Sequence, residues 1–213
     1  LEAALGAERQ PDLWEDTSAV WDLALSARGL LDAARLMEEG YHLVITNVPY
    51  LTRGKQNDAL KAFCDAHYQD AKNDLANVFL ERCLELCCEG GSVQMVMPQN
   101  WLFLTSYKKQ RESLLKRVRW NLLALLGPGA FDTITGEVVQ AILLTQTSGQ
   151  VPADCDVFGV DASTPKAPQE KAALMREGAL VAVSQKMLLA NPDARITFEQ
   201  IQGDLLEIYG LAY

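Results

Sequence analysis

The chain has 213 residues, 49% of them hydrophobic and 22% charged, and a formal net charge of −9. That length suits one well-buried domain or one and a half small ones. The acidic balance excludes a self-sufficient duplex binder, because affinity for nucleic acid comes largely from neutralising phosphates.

Residues 14–39 read as helix, with Trp14, Val20, Trp21, Leu25, Leu30, Leu31 and Leu36 as the packed face. The early glycines are Gly6, Gly29 and Gly40, and none stands in a G-x-G arrangement after an apolar strand. Asp32 reads as a solvated helix carboxylate.

Residues 44–51 read Val-Ile-Thr-Asn-Val-Pro-Tyr-Leu. A β-branched run that stops at an amide, a proline and an aromatic predicts a buried strand delivering a rigid loop to a pocket. Pro49 fixes its own φ and pushes Val48 toward extended conformations. The Asn47 amide and the Tyr50 ring then suit gripping a planar, amino-bearing group while stacking on its face. The same four residues also suit an ordinary strand-to-loop exit.

Asn73 or Asp74 caps a helix whose apolar positions are Leu75, Phe79, Cys83, Leu86 and Cys87. Gly90-Gly91 is expected to end it in the left-handed region, and Val93 to Met97 to form a short buried strand. Ser106 is expected to cap a basic helix that turns Leu114, Leu115 and Val118 inward. Lys108, Lys109, Arg111, Lys116, Arg117 and Arg119 stand there against Glu112 alone, as a solvated face or a contact to a DNA backbone. Leu122 to Leu126 and Val138 to Leu144, joined through a Gly-Pro-Gly loop, favour an antiparallel pair. Strand, helix, strand, helix and hairpin make half of a doubly wound α/β sheet.

From Gly149 the chain predicts a short strand within 153–162, an exposed loop over 163–168, and helices over 171–177, 183–189 and 201–209, with a break at Asn191-Pro192. Cys64, Cys83, Cys87, Cys88 and Cys155 make no C-x-x-C pair, and with only His42 and His67 no metal site is expected. Buried reduced thiols, and no signal-peptide, membrane-span or heptad pattern, point to a cytoplasmic protein that does not enter a membrane.

Asn47-Val48-Pro49-Tyr50 resembles the (Asn/Asp)-Pro-Pro-(Tyr/Phe) motif of amino-methyltransferases that use S-adenosylmethionine, with Val48 where the first proline is usual. Further matches follow in order: 74–82, 89–93, 95–101, Ser106-Tyr107 with Arg111-Glu112 and Leu114-Leu115, 126–131 and 134–139. Together they resemble the adenine-specific DNA methyltransferases of phage-exclusion (BREX, PglX-like) systems and of fused type II restriction-modification enzymes. The resemblance covers roughly residues 41–146 and, more faintly, 180–213.

That resemblance implies a partial Rossmann-like α/β methyltransferase fold: the C-terminal half of the sheet, ending in an antiparallel hairpin, with flanking helices. It implies a helical segment over 1–40, the C-terminal half of the catalytic domain over 41–147, and a connector toward a target-recognition region over 148–213. Asn47 and the Val48 carbonyl would accept hydrogens of the target amino group, Pro49 would stiffen the loop, and Tyr50 would stack on a flipped adenine. Phe131 would supply a second ring or pack at the hairpin base, and Trp101 would line the pocket or, preferably, the core. The cofactor would be S-adenosylmethionine, but the motifs that bind it are missing before Tyr41, so a piece of a longer enzyme with weak or absent cofactor binding is expected. The partner would be DNA. Residues 43–46 would be an exposed apolar sheet edge, covered by the acidic N-terminal helices or by a second copy. Methylation of protein glutamine or RNA amino groups, or a non-catalytic binding module, are the alternatives.

Overall fold

A computed structural model describes residues 17–130 and 139–198. Contacts divide the chain into two compact units, Leu1–Gly40 and Tyr41–Tyr213. The first carries helix α1 (Thr17–Glu38). Trp21, Leu25, Leu30 and Leu36 are exposed on it, whereas Leu31 is half-buried. Trp14 lies outside the described residues.

The second unit is built on β1 (Tyr41–Asn47), β2 (Cys87–Pro98), β3 (Val118–Gly127), β4 (Ala141–Ser148), β5 (Asp156–Asp161) and β6 (Val181–Ser184). Its helices are α2 (Asp58–His67), α3 (Leu75–Glu85), α4 (Lys108–Arg117), α5 (Pro168–Glu177) and α6 (Gln185–Ala190). The strands make one sheet in the order β1-β2-β4-β3-β5-β6. β1 lies parallel to β2, β4 runs antiparallel to both β2 and β3, and β5 lies parallel to β3. The expected hairpin is therefore present, and residues 148–198, expected as a connector, add two more strands to the same sheet.

Alternation along the strands sets the core. Val93, Met95 and Met97 of β2 are buried with Ile142 and Leu144 of β4 and Trp120 and Leu123 of β3. Against them pack Ala76, Leu80 and Leu84 from α3, Leu114 and Leu115 from α4, and Leu188 from α6. The buried stripe of α3 differs from the expected one: Phe79 is 37% exposed, and Ala76, Leu80 and Leu84 take the core positions. Cys83, an expected position, is buried in the same core.

Two expected helix boundaries are also corrected. α3 ends at Glu85, and the chain enters β2 at Cys87. Gly90, at φ 78°, does not end a helix but lies inside β2, beside the irregularity where Tyr41 faces Cys87 and Leu43 already faces Ser92. Ser106 is not the cap of α4; that place falls to Tyr107, which makes no side-chain cap bond. Residues 183–189 divide into the end of β6 and α6 rather than forming one helix. The break at Asn191-Pro192 is present, whereas 201–209 lies outside the described residues.

Candidate active site at the carboxyl end of β1

β1 and β2 run parallel, with Asn47 opposite Val96, so the loops that follow them leave the same end of the sheet. β1 is the edge strand, and its side chains Leu43 and Ile45 are 54% and 66% exposed. An apolar edge left open is expected to find a partner strand.

The four motif residues alternate in burial. Asn47, the last residue of β1, is exposed, Val48 is buried in the core, Pro49 is exposed and Tyr50 is half-buried. Val48 thus serves as a core anchor, a task valine meets as well as proline does. The Tyr50 ring packs against the main core while its hydroxyl is buried without a hydrogen-bond partner. Burial, aided by the nearby charge of Asp74, pushes that hydroxyl up to about 12, so it stays protonated at neutral pH.

The next residues are pinned. Leu51 N–H donates to Asp74 Oδ1 at 3.3 Å, and the Leu51 carbonyl accepts from Leu75 N–H at 3.0 Å and from Gln56 Nε2 at 3.1 Å. Asp74 is also the cap of α3, accepting from Ala76 N–H at 2.9 Å. The sequence marks Asn73 or Asp74 as a cap, and the structure decides for Asp74, but nothing in the sequence shows the reach back to Leu51. Gln56, 3% exposed, carries no sequence signal at all. Tyr107, also buried, is pushed up to about 12 by burial and then by Asp74, so the segment before α4 lies near the segment before α3. Asn73 Nδ2 donates to the Ser106 carbonyl at 3.4 Å, joining the same two segments.

Trp101 is wholly buried, with its ring 5.7 Å from that of Trp120, which is the core position preferred for it. Phe131 lies outside the described residues. The basic run is not one open face. Arg111 is 0% exposed, Arg117 pairs with Glu81, and Lys108 pairs with Asp193 at 3.3 Å, leaving Lys109, Lys116 and Arg119 exposed. A DNA-backbone contact by this helix therefore cannot use Arg111.

The early glycine and the acidic residue of α1 do not form a cofactor cradle. Gly29 sits in α1 with open space around it and forms no cradle. Asp32 lies 4.0 Å from Arg28 and 3.7 Å from Arg35 in ion pairs, as a solvated helix carboxylate does. Among the described residues no group of three or more His, Cys, Asp or Glu could hold a metal ion. Cys64, Cys83 and Cys155 are buried free thiols, and burial pushes Cys83 up to about 11. No described helix is long and apolar enough to cross a membrane.

This arrangement offers an exposed amide next to a buried anchor, a rigid proline and a half-buried ring, at the end of a parallel strand. Open α/β sheets place their ligands at that end. The chain is 36% identical over 122 residues to the adenine-specific methyltransferase PglX of Lacticaseibacillus casei (strain Zhang), covering 56% of this chain and 10% of that protein. It is 36% identical over 110 residues to the adenine-specific methyltransferase BrxX of Escherichia coli O9:H4 (strain HS), covering 52% and 9%. The chain thus spans about a tenth of the length of these curated relatives. Its fold is similar to the methyltransferase subunit of a type I restriction-modification system from Streptococcus thermophilus, with a TM-score of 0.56 at 16% identity over 76% of this chain and 38% of that one. The model of the Eco57I restriction-modification methylase family matches residues 6–128, more than half of the sequence. The chain belongs to the Eco57I restriction-modification methylase family.

Proposed function

We propose that residues 41–147 form the C-terminal half of the catalytic domain of a DNA methyltransferase that transfers a methyl group from S-adenosylmethionine to adenine N6, within a restriction-modification or phage-exclusion system. The observation that carries this reading is the position of Asn47-Val48-Pro49-Tyr50 at the carboxyl end of β1, with Val48 anchored in the core and residue 51 tied to Asp74. The relatives' description as adenine-specific methyltransferases supports the choice of substrate.

The chemistry assigned to these residues is orientation and charge stabilisation. The Asn47 side-chain oxygen and the Val48 carbonyl accept the two amino hydrogens of an adenine turned out of the duplex. That draws the nitrogen lone pair out of conjugation and stabilises positive charge as it develops on the nitrogen. Tyr50 stacks on the base, a contact worth roughly 1–3 kcal/mol. The methyl donor is proposed to be held largely by parts of the intact enzyme other than this chain. The isolated chain is accordingly proposed to bind S-adenosylmethionine weakly or not at all, and to pair with a second copy through β1.

The test compares the intact enzyme with its Asn47→Ala variant on DNA, RNA and protein substrates. Adenine methylation is expected for the wild type, falling about 100-fold or more in the variant, the scale of removing one preorganised polar group. Equal methylation in both would refute the role of Asn47. Activity on RNA or protein alone would move the assignment to another amino substrate, and inactivity on all three would leave a binding module.

A further inference from the structure

The segment after Pro49 is stitched to the start of α3. The Arg53 N–H donates to the Asn73 carbonyl at 2.8 Å, the Leu75 N–H to the Leu51 carbonyl at 3.0 Å, and Thr52 pairs with Asp74 as an antiparallel bridge. One side chain completes the seam. Asp74, 5% exposed, offers Oδ1 to both the Leu51 N–H and the Ala76 N–H. A helix cap needs only the second bond. The first reaches back 23 residues and lands one residue after Tyr50.

We infer that Asp74 is a positioning residue for methyl transfer: a single buried carboxylate oxygen, shared between the Leu51 N–H and the first turn of α3, fixes the loop that carries Asn47, Val48 and Tyr50. The inference rests on the methyl-transfer reading above. Burial removes the water that would compete for the Leu51 amide. Tyr50 makes no hydrogen bond through its own buried hydroxyl, so its place depends on packing and on the backbone beside it. Loosening that backbone acts directly on the geometry of the target base. A misplacement of about 1 Å can cost about 100-fold in rate.

Two substitutions separate positioning from capping. Serine caps helices about as well as aspartate, but its shorter side chain cannot span the two N–H groups at once. Asparagine keeps an acceptor oxygen at the same distance from the backbone. In the 213-residue chain, amide exchange measured by NMR is expected to show Ala76 protected in both Asp74→Ser and Asp74→Asn, with Leu51 losing about tenfold or more of its protection in Asp74→Ser alone. In the intact enzyme, kcat is expected to fall about tenfold or more in Asp74→Ser at unchanged KM, and to be rescued in Asp74→Asn. Undiminished Leu51 protection in Asp74→Ser, an unchanged kcat there, or an equal fall in both variants would each overturn the inference. A wild-type enzyme that methylates no adenine overturns the underlying reading instead, and Leu51 exchange tells the two failures apart.

Discussion

The Arg111 guanidinium donates from Nε to the Ala194 carbonyl at 3.1 Å, joining two points 83 residues apart in the chain. Its other nitrogens donate to the carbonyls of Leu104 at 2.8 Å, Asp193 at 2.8 Å and Trp101 at 2.5 Å. Asp193 and Ala194 sit at φ 56° and 50°, a left-handed region that non-glycine residues rarely adopt. Arg111 thus holds a strained turn against the loop that follows β2. Burial pulls its guanidinium down to about 10, which still leaves it charged at neutral pH.

Arg111→Met should destabilise the chain by about 3 kcal/mol or more, because buried carbonyls left without a donor cost about 1–3 kcal/mol each. Arg111→Lys should recover only part of the loss, since one ammonium cannot span the same set of acceptors. Urea unfolding followed by circular dichroism measures both. A methionine variant within about 1 kcal/mol of wild type would show that the turn holds without the arginine.

Gly91 allows the start of β1 to lie on β2. A Cβ at this position would stand 2.5 Å from the Tyr41 carbonyl and 3.0 Å from the Cys88 carbonyl. Gly91→Ala should therefore cost about 1–3 kcal/mol, the usual range for overpacking. Amide protection on β1 should fall more than on β3. Uniform loss across the sheet would place the damage elsewhere.

Acid should weaken the fold partly through Asp65. The Lys72 ammonium, 2.9 Å away, and then a hydrogen bond from Arg53 at 2.6 Å hold its carboxyl below the ordinary range. A carboxyl lowered by folding contributes stability above its unfolded pKa and loses it as pH falls through the folded value. Urea midpoints measured downward from neutral pH should drop in the wild type and drop less in Asp65→Asn. Parallel curves would remove Asp65 from the acid response.

The open edge makes its own prediction. Ile45, 66% exposed on β1, should contribute to self-association of the isolated chain. A charge on an edge strand opposes pairing. Sedimentation should show the wild type self-associating and Ile45→Lys as a monomer. A monomeric wild type would rule out β1 as a self-pairing edge.

Much of the local structure was legible in the chain. β1 ends at Asn47 because a β-branched run meets an amide and a proline, and α3 starts after Asp74 because a short acceptor precedes a helical stripe. The antiparallel β3–β4 pair follows from two apolar runs around a Gly-Pro-Gly loop. Where the reading failed, two rules competed for the same residues. Gly90 suits a helix exit and a strand irregularity equally, and pairing of Cys87 with Tyr41 decided for the strand. Arg111 looks like its basic neighbours, yet it faces the core.

The sequence by itself determined where the motif loop begins and which residues it presents, because those depend on neighbours a few positions apart. Only the tertiary structure decided what holds the loop and what lies open beside it. Asp74 reaching Leu51, Gln56 beneath the Leu51 carbonyl and Arg111 beneath Ala194 each join groups through directions in space that spacing along the chain does not encode. The exposure of Leu43 and Ile45 follows from strand order, which is likewise a property of the assembled sheet.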